Sequence, residues 1–182
     1  MGNRTEINRA FFSARHIKDF LKLFAIILAV MSLTVGMCFA KTIPEFEKMK
    51  SLIGEWKGTS MGGNPATVTY TLVSDNSALM ERLAMGGESE MVTMYHPDGD
   101  RLMMTHYCSA HNQPRMRSEM VPEGSNNLTF DFLDVTNLSA PDAGHMRKLV
   151  VTFEDKNHFS QAWTWTEKGK DNVVVIHFER TK

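Results

Sequence analysis

The sequence predicts an all-β fold: about ten antiparallel strands in an up-and-down barrel, preceded by one short helix. Three observations carry that expectation. From Gly54 onward, short runs rich in Val, Thr, Phe, Tyr and Trp are separated by turn-forming clusters at regular intervals. Several of those runs alternate apolar and polar residues with the period of two that leaves a strand with one dry face. A meander of that many strands has two edges to hide, and closing the sheet on itself hides both.

Ahead of the domain, Arg4, Arg9, Arg15, Lys18 and Lys22 precede an uncharged apolar run over residues 23–40. This is the layout of an export signal. The run ends in Cys38-Phe39-Ala40, which predicts cleavage after Ala40 and a single mature domain over 41–182. Left uncleaved, 18 apolar residues just span a bilayer and would anchor the domain. Either outcome places it outside the cytoplasm, periplasmic or secreted. Met37 is too bulky to precede a lipidated cysteine, so Cys38 is not expected to be a lipid anchor.

The domain opens with Thr42-Ile43-Pro44-Glu45, the pattern of a capping box with Thr42 at N-cap and Pro44 in the first turn. Phe46, Met49 and Ile53 then recur at helical spacing until Gly54 ends the element. Alternation follows in Val68, Tyr70 and Leu72, in Leu128, Phe130 and Phe132, and in Phe159, Trp163 and Trp165. Turn signals stand at Asn64-Pro65, Ser74-Asp75-Asn76, Gly86-Gly87, Pro97-Asp98-Gly99-Asp100, Glu123-Gly124-Ser125-Asn126, Asp155-Lys156-Asn157 and Lys168-Gly169-Lys170. Residues 136–145 form one long polar connection, expected as a helical turn or a lid.

Composition narrows the class further. With 42% hydrophobic and 23% charged residues the chain is neither disordered nor a multi-span membrane protein. Removing residues 1–40 leaves 15 basic against 19 acidic side chains, a balance that disfavours nucleic acid as a partner. It also removes Cys38, so Cys108 stands alone and reads as a small core hydrophobe.

The segment Gly54-Glu55-Trp56-Lys57-Gly58, on the first strand after a short helix, resembles the G-x-W signature of the calycin barrels: lipocalins, fatty-acid-binding proteins and nitrobindin-like haem barrels. The resemblance implies that Trp56 closes one barrel end against a basic residue of the last strand, for which Arg180 is placed. Residues 90–117, with Met94-Tyr95-His96 and Asn112-Gln113-Pro114-Arg115-Met116-Arg117, resemble bacterial lipocalin-like proteins of unknown function.

Candidate site residues come from polar groups on faces that otherwise look internal. Glu81 is in phase with Leu79 and Leu83, Arg147 with Leu149 and Val151, and Gln161 lies between Phe159 and Trp163. Such groups need partners or a wet, ligand-filled lumen. Glu81, Arg147, Gln161 and Trp163 are therefore expected to line a site for a small hydrophobic or amphipathic molecule. Arg115 and Arg117, two apart on one face, are candidates for binding its carboxylate.

Metal chemistry is the competing expectation. His106, Cys108 and His111 form an H-x-C-x-x-H cluster whose donors suit Zn or Cu. Thioethers such as Met91, Met94, Met103, Met104, Met116 and Met120 could hold Cu(I), or simply line a core or pocket. By resemblance to nitrobindin-like barrels, His177 on a late strand is the candidate haem ligand. No nucleophile elbow, phosphate loop or zinc-protease helix is present, and Asp98 and Asp100 read as turn formers. The sequence thus predicts an exported barrel that binds a small apolar ligand, with haem or metal binding, or catalysis on a hydrophobic substrate, as alternatives.

Overall fold

The computed structural model describes Lys22, residues 43–122 and residues 124–181. The expected export signal, Lys22 apart, lies outside the described residues, as do Thr42 and Glu123. Helix α1 (Pro44–Lys50) precedes the strands of the barrel: β1 (Gly54–Ser60), β2 (Pro65–Val73), β3 (Ala78–Met85), β4 (Met91–Asp98), β5 (Arg101–Tyr107), β6 (Gln113–Ser118), β7 (Asn127–Thr136), β8 (His145–Phe153), β9 (His158–Glu167) and β10 (Lys170–Arg180). Each strand pairs antiparallel with the next, and β10 returns to β1 to close the barrel. Among the described residues no helix is long and apolar enough to cross a membrane.

The turns set the register. Gly99 and Asp100 form a two-residue loop with Asp98 opposite Arg101, and Gly99 at φ 66 supplies the positive angle that a II′ turn needs at its first central position. Lys168 and Gly169 connect β9 to β10 with φ 50 and 70, the two positive angles of a I′ turn. Both turn types twist with the strands they join, so both hairpins keep full pairing to the tip.

Alternation holds along most strands. Val68, Tyr70, Leu83, Tyr95, Met104, Leu149, Phe159 and Ile176 all point into one buried core. Two bulges break it. Arg115 pairs Asp134 while Met116 pairs Phe132, so Leu133 is the extra residue on β7. Phe132 keeps the expected inward phase, opposite Met116, although it is 36% exposed. On β8, Met146 pairs Trp165 and Lys148 pairs Thr164, which leaves Arg147 as the extra residue. The side chain expected in phase with Leu149 and Val151 is thereby thrown out to solvent, where it meets Asp171 at 3.6 Å.

Helix α1 is shorter than its apolar spacing implies. Ile43 is its N-cap without a side-chain cap bond, Pro44 occupies the first turn, and Ser51 ends it. Because the chain leaves the helix there, Leu52 turns inward and Ile53 is exposed. This corrects the expected capping box and the place of Ile53 on the apolar face.

The helix covers the barrel end where β1 begins and β10 finishes. Trp56, 2% exposed, packs edge-on against Phe159 at 4.7 Å, and Phe159 stacks on Phe178 at 4.8 Å. Arg180 lies directly across from Trp56 in the β1–β10 ladder, its guanidinium carbon 4.0 Å from the indole centroid. That guanidinium also donates to the carbonyls of Ser51 (2.7 Å), Ile53 (2.8 Å) and Lys156 (3.0 Å). The Trp56 indole N–H donates to Leu52 O at 2.7 Å. Ring and fork together take up carbonyls at the end of the helix that have no partner within it.

Truncating Trp56→Ala is expected to cost about 3–5 kcal/mol of unfolding free energy, as for other large core deletions. Arg180→Met should cost less, roughly 0.5–2 kcal/mol for the lost ring contact. Urea titration of both variants checks the order, and a larger loss in Arg180→Met would contradict it.

Candidate functional site

A single polar rung crosses the middle of the barrel. Strand register sets Tyr70 opposite Glu81, Glu81 opposite Thr93, and Thr93 opposite His106, so four neighbouring strands each contribute one inward polar group. Glu81 is fully buried. Its Oε2 accepts from the hydroxyls of Tyr70 (2.7 Å) and Tyr95 (2.8 Å) and from Gln161 Nε2 (2.9 Å). Thr93 Oγ1 stands 3.5 Å from Oε1 and 2.9 Å from His106 Nδ1. Gln161 Nε2 also donates to Tyr70 Oη at 2.8 Å, and Trp163 Nε1 donates to Gln161 Oε1 at 3.0 Å.

Burial pushes the Glu81 carboxyl upward from its ordinary range, and the hydrogen bonds it accepts from Tyr70, Tyr95, Gln161 and Thr93 pull it back. Tyr70 and Tyr95 are both held well above the usual phenol range, first by burial and then by the adjacent Glu81 charge. They therefore remain donors. Burial lowers His106 to about 4, which keeps its imidazole neutral.

Beyond this rung, toward the end opposite α1, lies a cavity of about 370 Å³. Leu83, Met91, Met146, Trp163 and Val174 form its apolar walls, with Glu88 the one charged residue lining it. His106 lines it too, its ring 4.7 Å from that of Trp163. The Nε2 atom of His106 is buried and has no hydrogen-bond partner. It shares that condition with Asn112 Oδ1 and Arg117 Nε, but it alone belongs to a residue lining this cavity, and an unpaired buried nitrogen there is costly.

The long connection expected as a helical turn or lid spans residues 137–144 and contains turns without a helix. It is tied to the neighbouring loops: Asn112 Nδ2 donates to Gly144 O at 2.9 Å, and Lys168 N donates to Asp142 O at 3.1 Å. Gly144 lies so close to the Trp165 indole, which lines the cavity, that an added Cβ would sit 2.0 Å from the ring. A side chain at 144 would displace that wall.

Of the residues singled out from sequence, Glu81, Gln161 and Trp163 come together in one network. Trp163 faces the cavity, whereas Glu81 and Gln161 spend their polar atoms on the network and do not line it. Arg147 is outside, at the β8 bulge. Arg115 and Arg117 do share a face, but it is the outer one, because Pro114, Met116 and Ser118 take the inward phase. Arg115 is bidentate to Asp134, which it faces across the ladder, and Arg117 pairs with Asp98. Neither arginine reaches the lumen to meet a carboxylate.

The metal candidates separate as well. His106 and Cys108 both line the cavity, but His111 sits in the β5–β6 loop at φ 64, exposed. Among the described residues no three His, Cys, Asp or Glu side chains lie close enough to hold a metal. Burial pushes the Cys108 thiol up, so it stays protonated. His177 points outward between the inward Ile176 and Phe178, with its Nδ1 3.8 Å from Glu154. It cannot serve as a ligand from inside the barrel. Met91, Met104 and Met116 are buried wall and core residues, while Met120 is exposed.

No family model matches the chain, and no curated protein matches it. Among solved structures it is similar to a protein of unknown function of the DUF3598 family from Nostoc punctiforme, at a TM-score of 0.52 and 12% identity. The likeness is one of fold. It covers 73% of this chain and 49% of that one, so the chain spans about half the length of the structure it matches.

Among site candidates the sequence reading passed over Tyr70, Tyr95 and Thr93, and offered His106 only as one of three ligands of an alternative metal cluster. A usable signal was present. A two-residue turn at Gly99-Asp100 pairs Asp98 with Arg101 and, counting back along both strands, Thr93 with His106.

The pH dependence of stability follows from His106. Its folded value lies below its unfolded one, so the unfolded chain binds the proton first, and stability present above pH 6.5 is lost as pH falls toward about 4. The expected slope from this group approaches roughly 1.4 kcal/mol per pH unit in that window. Denaturant titrations across it should show the slope reduced in His106→Leu. Equal slopes in both proteins would contradict the burial of a neutral imidazole.

Proposed function

We propose that this barrel binds a small, uncharged, largely apolar molecule in the cavity beside His106. The observation that carries the reading is the buried, unpartnered Nε2 of His106, a residue that lines an apolar cavity of about 370 Å³. That volume lies in the range of small-molecule sites, and a few polar groups, here His106, Glu88, Ser109 and Asn172, on largely apolar walls are their usual composition. An anionic amphiphile is disfavoured. No Lys or Arg lines the cavity, and Glu88 adds a negative charge there. Haem fits poorly for the same reason, since its propionates would meet no cation in this cavity.

Kinship with the calycin barrels belongs to this reading. Support comes from Trp56 buried beneath Arg180 at the closed end and from the ten-strand closure. Export of the domain is proposed on the charged segment and apolar run of residues 1–40. N-terminal sequencing of protein recovered outside the cytoplasm should begin at Lys41, and a chain retaining residues 23–40 would contradict cleavage.

Uncharged two- and three-ring compounds are expected to quench Trp163 and Trp165 fluorescence and to raise the melting temperature with concentration, as ligands of the native state do. Val174→Trp, which fills the cavity, should abolish both effects. Compounds that bind the variant as well as the parent, or a panel that binds neither, would sink the proposal.

A further inference from the structure

Within that reading of the cavity as a binding site, the hydrogen-bond chain behind His106 specifies the kind of polar group a ligand must carry. Three protons converge on Glu81 Oε2, from Tyr70, Tyr95 and Gln161. Tyr70 receives a proton from Gln161, so its own points at Glu81. Three donors on one oxygen match the charge of a carboxylate and leave no room for a proton there. Thr93 is the remaining partner of Oε1. Were its single proton turned to His106 instead, a buried carboxylate oxygen would be left without a donor.

With the Thr93 hydroxyl committed to Glu81, its oxygen accepts from His106 Nδ1 at 2.9 Å. The neutral ring then carries its proton on Nδ1 and presents a bare lone pair at Nε2, the atom left without a partner. We propose that Glu81 and Thr93 are positioning residues that hold His106 as an acceptor, so that the cavity selects an uncharged ligand donating a hydrogen bond, such as an alcohol or phenol, over the ketone of the same shape. A ketone would set its own lone pairs against Nε2 and leave both buried groups unpaired.

The test uses the matched pair 9-fluorenol and 9-fluorenone with ¹⁵N-histidine-labelled protein. Long-range ¹H–¹⁵N correlation should find His106 protonated at Nδ1, and the parent protein should bind the alcohol roughly tenfold or more tighter than the ketone, the size expected for one hydrogen bond. In Glu81→Gln the amide oxygen keeps the three donors while its nitrogen donates to Thr93. That reverses the chain, moves the proton to Nε2 and removes the preference for the alcohol. Thr93→Val, which removes the link between Glu81 and His106 while leaving the Glu81 side chain itself in place, should also erase the preference. Equal affinity for the pair, or a proton on Nε2 in the parent, overturns the inference while the cavity reading stands. Failure of both compounds to bind overturns the cavity reading and the inference with it.

Discussion

A carboxylate without solvent contact sits at the centre of this barrel, and the polar interior is arranged around it. Taking an ionised group out of water costs several kcal/mol unless hydrogen bonds replace its hydration. Glu81 recovers that cost from β2, β4 and β9, through Tyr70, Thr93 and Tyr95, and Gln161. Because β9 lies across the lumen from β3, the network ties opposite walls together. Replacing any one donor by an apolar group would leave a buried charge short of a partner, a larger penalty than the bond itself is worth.

Around that layer the barrel is organised along its axis. At one end α1, Trp56, Phe159 and Phe178 make a solid apolar plug, locked by the Arg180 fork. At the other end the walls stay apart, and the cavity occupies the space between them. The polar rung separates the two, with its last member, His106, facing the open side. The division is physical: packed aromatic rings fill the end under α1, whereas at the other end thioethers, aliphatic side chains and the Trp163 and Trp165 indoles surround open space.

Much of the fold was legible in the sequence because its determinants are local. Period-two alternation and turn residues such as Gly99 and Gly169 gave ten strands, and the G-x-W segment placed Trp56 against Arg180. Readings failed where a single inserted residue changed the phase. The bulges at Leu133 and Arg147 carry no distinctive local pattern, and the second moved Arg147 from the expected inner face to solvent. Spacing also misled at His106, Cys108 and His111, since the strand ends before His111 and the loop carries it away. The site itself was half legible. Glu81 and Gln161 were conspicuous as polar residues on dry faces, but their partners became visible only through strand register, which aligns residues far apart in sequence.

The charge of Glu81 is the claim on which the rest depends, and isotope-edited infrared spectroscopy reads it directly. The difference spectrum between the parent protein and Glu81→Gln at neutral pH, with ¹³C-glutamate labelling, should show the loss of one carboxylate antisymmetric stretch. Loss of a protonated carboxyl C=O stretch in its place would contradict the account, because a neutral Glu81 would no longer hold Thr93 and His106 in the orientation argued here.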